Sequence, residues 1–330
     1  MQRREFLLTM SAGILVGRTV SSDVTVSKRQ ASSEPTQETD PFTRNLDDAA
    51  SHLTAAYNSY LDYGADEATF HDIDASVSVP PERLGLSEHL YSARDALHSA
   101  ENNSLTQAQR ATVIDLWGVQ WLFWWLWSIH DSLHEGYRDI GAAWEALLVF
   151  HEPRDWVRDA SERLEAVETD LNKLRQDSDP THMESFEPLS ETDYRQKITR
   201  IEKDAALIRT LGDLFADELH ESLARLEFGI AALETEEYLR ALEALEGATF
   251  GAIIDQIRDI EWTQPFVSIV EELVCLSQTL DNGTRALIEV ALAGADGNSV
   301  TASYKKRQSK EQFTTCDLVF KHLHFVKQFY

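Results

Sequence analysis

Cysteine is scarce, two in 330 residues, and there is no Cys-x-x-Cys pair. That excludes a disulfide framework and leaves nothing to suggest a zinc ribbon or a dithiol redox centre. The chain also lacks a Gly-x-Ser-x-Gly elbow, a glycine-rich phosphate loop and a His-Glu-x-x-His helix. Hydrolase, nucleotide and zincin chemistries therefore miss their usual residues. Basic charge is short as well: 30 Lys and Arg stand against 56 Asp and Glu, a net of −26. Such a chain is not a general nucleic-acid binder, whose affinity depends on a cationic surface.

What is present is a chain with 43% hydrophobic residues, enough to bury a large core. Its charge is uneven. Residues 1–30 hold five basic against two acidic side chains and residues 299–330 six against two, so the stretch between them carries −33. Five of the nine lysines fall in the last 26 residues, and the acidic body uses arginine instead. A body so charged repels itself unless counterions screen it. In this it resembles proteins of salt-loving archaea, although an ordinary acidic exported protein has the same signature.

Near the amino terminus Arg3-Arg4-x-Phe6-Leu7 precedes a short apolar run that includes Met10 to Val16. The run is too short to span a bilayer. These residues resemble the core of twin-arginine (Tat) signal peptides, with Gln2 in place of the usual Ser or Thr and Leu8 in place of Lys. The resemblance implies export in the folded state through the Tat translocase, with Arg3, Arg4, Phe6 and Leu7 as the export signal. It covers residues 1–22 only. Val20-Ser21-Ser22 offers a small-residue cleavage site, and retention as an anchor stays open. Residues 23–41, rich in Ser, Thr, Gln and Glu, read as a polar linker.

From 42 to 298 the apolar residues recur at steps of three and four, which predicts an all-α acidic helical bundle, with a sub-boundary near 152. Ile73, Ala75, Val77 and Val79 alternate at two before Pro80, and with no partner strand in view they read as an extended connector. Thr106 with Gln109 and Ser190 with Asp193 are capping boxes that open two long helices. The second of these carries a stripe from Tyr194 to Leu233, long enough for an antiparallel bundle or coiled coil. Two more helices are expected from Thr235 to about Trp262 and from Pro265 to Leu280. Asn282-Gly283 should end the latter and a short helix should follow it.

Five of the eight tryptophans crowd into Trp117 to Trp127. A helix apolar all round belongs inside a bundle, so Trp117, Trp121 and Trp124 are expected in the core. The competing readings are a recognition surface made by the same three residues, and membrane insertion. Asp-x-Leu-His occurs at Asp95–His98, Asp131–His134 and Asp217–His220, but helical geometry gives the core positions to the leucines, against a di-metal site. His130 and His134, with Glu135 or His151 as a third ligand, are weak metal candidates. Cys275, in an apolar run, reads as an inert buried thiol, and pairing with Cys316 is the less expected outcome. Residues 299–330 read as an irregular basic tail. A helix at its end would suit anionic lipid, as a peripheral membrane contact, or the acidic body.

Two functions compete. One is a non-enzymatic, cell-surface binding or scaffolding protein with an envelope partner and no cofactor. The other is a metal- or cofactor-dependent enzyme with a dispersed site around the tryptophan helix, His130, His134, Glu145 and His151.

Overall fold

Helices α1 (Pro41–Leu61), α2 (Leu86–Glu101), α3 (Gln107–Leu148) and α4 (Arg154–Asp177) form the first part of a computed structural model that describes residues 40–64, 68–80 and 85–330. The twin-arginine segment, with Arg3, Arg4, Phe6 and Leu7, lies outside the described residues, as does the linker up to residue 39. After a 3-10 turn at Pro180–Ser185 come α5 (Glu191–Asp213), α6 (His220–Glu234), α7 (Tyr238–Glu246), α8 (Phe250–Arg258) and α9 (Val267–Ala295). The last three helices are α10 (Ser299–Phe313), α11 (Asp317–His322) and α12 (His324–Phe329). No strand occurs among the described residues, and the helices pack antiparallel in one compact unit from Asp40 to Tyr330.

Both long helices begin where their capping boxes stand. Gln109 N–H donates to Thr106 Oγ1 (3.3 Å) while the Gln109 amide oxygen accepts from Thr106 N–H (2.9 Å). At α5 the same reciprocal pair joins Ser190 and Asp193 (3.2 and 2.8 Å). Each box satisfies donors that a helix start otherwise leaves open, worth about 1 kcal/mol for the cap residue. α3 runs 42 residues, ~63 Å at 1.5 Å per residue, and packs against α1, α2, α4 and α5. Leu116, Val119, Leu122, Phe123, Leu126, Ile129 and Leu133 form its buried stripe.

Several helix boundaries differ from the expected ones, for physical reasons. The long stripe after Ser190 is interrupted by a π-helical turn at Leu214–Leu219, which sets Phe215 in a stack on Trp144 at 5.5 Å. The helix expected from Thr235 to Trp262 breaks into α7 and α8 at Gly247. Conversely, Asn282-Gly283 does not end a helix, since α9 runs through it. Gly283 is there for clearance: a Cβ would be driven into the Phe313 ring of α10.

The carboxy-terminal tail is not irregular. α10 packs along α9, while Phe313, Cys316, Val319, Leu323, Val326 and Phe329 are buried in the main core. Lys305 pairs with Glu289 (2.7 Å), so the acidic body is what the basic tail meets. Cys275 is not an inert thiol but is bridged to Cys316, with Cα atoms 5.8 Å apart. The 41 positions between the two hide the pairing from a sequence reader.

Candidate functional site

The tryptophans are not where the apolar run placed them. Trp117, Trp121 and Trp124 are each only partly buried, and so are Trp125 and Trp127. The leucines and Phe123 of the same helix occupy the core, while the indoles fill its flanks. At four-residue spacing Trp117, Trp121 and Trp125 stack in a row, with ring centroids 6.3 and 6.4 Å apart and planes tilted by 24° and 22°. Both ends of the row are fixed. Trp117 Nε1 donates to Glu101 of α2 (3.0 Å), and Trp125 Nε1 donates to Asp177 of α4 (2.9 Å). Lys173 lies over the Trp125 ring at 4.9 Å, a cation–π contact. On the neighbouring flank Trp124 meets Tyr91 and Trp127 edge to face.

This row is rigid because its backdrop is closely packed. Gly118 has no side chain, and the His182 ring of the 3-10 turn takes the space that a Cβ would fill. Ser185 on that turn donates to Asp115 of α3 (2.5 Å). The tryptophan that is truly inside is Trp144, one turn from the helix end, which donates to Glu272 (2.9 Å). No helix among the described residues is long and apolar enough to cross a membrane.

Beneath the surface, the connector 68–80 wraps over α3 and α5 with Ile73, Ala75 and Val79 buried. It pairs with no strand, but it is not extended as its alternation suggested. Turns closed by Asp72 N–H to the Thr69 carbonyl (3.0 Å) and Val77 N–H to the Asp74 carbonyl (3.1 Å) fold it back and bury Asp74 as well. Sequence reading missed what it covers. Lys197, one of only three lysines between residues 31 and 298, is fully buried and donates to the Ile73 carbonyl (2.5 Å). Asp204, also fully buried, accepts from Ala75 N–H (3.1 Å) and from Arg200 Nε (3.0 Å). Arg200 then reaches Asp74 (3.1 Å) and the Gln264 carbonyl. Burial pushes the Lys197 ammonium down to about 7 and the Asp204 carboxyl up to about 6, the latter against the pull of Arg200. The signal was there: Lys197 and Asp204 stand seven residues apart on the stripe of Tyr194, Ile201 and Ile208.

The metal candidates do not converge. His130 is fully buried beside Tyr60, and burial lowers its pKa well below that of a free histidine. His134 is bonded instead to the Ala75 carbonyl (3.2 Å), and His151 is exposed at the far end of the helix. Glu145 is exposed there too. Among the described residues no group of three or more His, Cys, Asp or Glu side chains could hold a metal ion. In the three Asp-x-Leu-His segments the leucines are buried and the aspartates exposed, as helical geometry requires. No family model, no curated protein and no solved structure matches the chain.

Proposed function

We propose that this is an exported, non-enzymatic binding or scaffolding protein of the cell surface, and that the tryptophan row on α3 is its recognition surface. The observation that carries the reading is the row itself: three stacked indoles kept at the surface, with Trp117 and Trp125 hydrogen-bonded to carboxylates on the neighbouring helices. Tryptophans are enriched where proteins bind one another, because a rigid ring gives much contact area at little entropic cost. Glu101 and Asp177 close the two ends of the row, so the partner that fits is an envelope protein presenting Lys or Arg beside an apolar face. The Lys173–Trp125 contact is an internal example of that pairing.

Export is supported by Arg3-Arg4-x-Phe6-Leu7 and by the Cys275–Cys316 bridge, a bond that persists in oxidising compartments. Sedimentation with washed cell envelopes tests the reading. The wild-type protein should co-sediment saturably, and Trp121→Ala should lose most of that binding at an unchanged melting temperature. Equal sedimentation of the two proteins would refute it.

A further inference from the structure

Three polar side chains from three helices come together under the connector 68–80. Tyr60 of α1, His130 of α3 and Lys197 of α5 are all fully buried. The Tyr60 and His130 rings lie 5.7 Å apart, and Lys197 Nζ stands 5.2 Å from the centre of the Tyr60 ring. The Tyr60 hydroxyl and both ring nitrogens of His130 have no hydrogen-bond partner in the protein. Lys197 has one hydrogen-bond partner, the Ile73 carbonyl, and its Nζ lies over the Tyr60 and Phe70 rings at 5.2 and 5.5 Å, which leaves two of its three N–H groups without an oxygen or nitrogen acceptor. Among the described residues no carboxylate stands within ion-pair reach of Nζ. Asp204 and Asp74 are taken up by Arg200, the Ala75 N–H and Ser76.

Buried polar groups are nearly always hydrogen-bonded, and a buried charge without a counter-charge is costlier still. Four unsatisfied groups in one enclosed place therefore ask for a common partner. What they offer decides its chemistry. Two N–H of Lys197, the Tyr60 O–H and one N–H of a neutral His130 are four donors; the second His130 nitrogen and the Tyr60 oxygen are the acceptors. A water molecule accepts two hydrogen bonds and carries no charge, so it neither serves all four donors nor offsets the ammonium. An anion accepts from every donor and compensates the ammonium as well. Phe70 and Phe123 flank Tyr60 with ring planes tilted by 55° and 59°, and meet each other edge to face.

We propose that Tyr60, His130 and Lys197 form a binding site for a small monovalent anion, chloride in the first instance. The enclosure by aromatic rings favours a compact ion of single charge over sulfate or phosphate. The site would tie α1, α3 and α5 together and hold the connector 68–80 through the Lys197–Ile73 bond. It is independent of the tryptophan row, which lies on the flanks of α3.

Melting temperatures in sodium chloride and sodium gluconate, compared at equal ionic strength, separate a bound ion from screening of the acidic body. Replacing gluconate stepwise by chloride should raise the melting temperature saturably, by roughly 5 °C at a hundredfold excess over Kd. Bromide should act likewise, and Tyr60→Phe should weaken the response. Lys197→Met should abolish it. A response absent in the wild-type protein, or unchanged in Lys197→Met, overturns the proposal. Should that variant not fold, bromide-soaked wild-type crystals decide. An anomalous peak between Tyr60, His130 and Lys197 supports the site, and bromide peaks confined to the surface contradict it.

Discussion

The Lys197 ammonium on α5 donates across 2.5 Å to the carbonyl of Ile73, 124 residues earlier in the chain. That bond puts an ionisable group at the centre of the fold, and its cost depends on pH. In the unfolded chain the amine titrates at 10.5, but burial lowers this to about 7 in the folded protein. Between these values the unfolded state holds a proton that the folded state has released, so this group makes stability rise with pH from about 7 to 10.5. Below 7 both states are charged and the full burial cost is present. Asp204, raised from 3.8 to about 6, contributes stability that is lost as pH rises across that lower window. Lys197→Met should therefore compare best with wild type at pH 6 and lose ground by pH 10, measured as melting temperatures in gluconate. A difference independent of pH would show that the buried amine does not titrate as described.

The Cys275–Cys316 bridge ties the α10–α11 junction to α9. Closing a loop of 41 residues is worth about 4 kcal/mol in the chain-entropy account of disulfides. Reduction should lower the melting temperature and open residues 299–330 to limited proteolysis before the rest of the chain. Proteolysis that starts elsewhere in the reduced protein would argue against a tail held by the bridge.

Helix periodicity and the two capping boxes made the all-α fold legible, because both are local signals. Asn282-Gly283 was misleading, since a helix-ending dipeptide and a clearance for the Phe313 ring look alike until α10 is in place. The tryptophans misled for a related reason. A run apolar on every side says that a helix is surrounded but not which side chains end inside, and here Leu122 and Phe123 took the core while the indoles took the flanks. Lys197 and Asp204 were readable as charges on an apolar stripe. Their partners Ile73 and Ala75 come from a connector whose alternation at two does not say which helices it crosses.

Gly283→Ala should destabilise the protein by roughly 1–3 kcal/mol, the usual cost of overpacking, because the added methyl meets the Phe313 ring. Phe313→Leu in the same chain should recover part of the loss. Denaturant melts of the single and double variants measure this, and additive losses would contradict the contact.

The −33 carried between residues 31 and 298 should make the fold salt-dependent. As the Debye length falls from ~10 Å at 0.1 M to ~3 Å at 1 M, self-repulsion is screened and the melting temperature should rise. Sodium gluconate serves here, since it screens without supplying chloride. A flat or falling curve would remove the resemblance to proteins of salt-loving archaea.

The central claim is that the α3 tryptophans form a surface while the neighbouring aliphatic residues form the core. Thermal melts of Trp121→Ala and Leu122→Ala, adjacent in sequence but on different sides of one helix, test it most directly. Leu122 is fully buried, so its truncation should cost about 2–5 kcal/mol and lower the melting temperature by roughly 5–15 °C. Trp121 is partly exposed and touches chiefly Trp117 and Trp125, so its removal should cost no more than about 1 kcal/mol, roughly 3 °C. A drop for Trp121→Ala as large as that for Leu122→Ala would place the row inside the core and contradict its role as a binding surface.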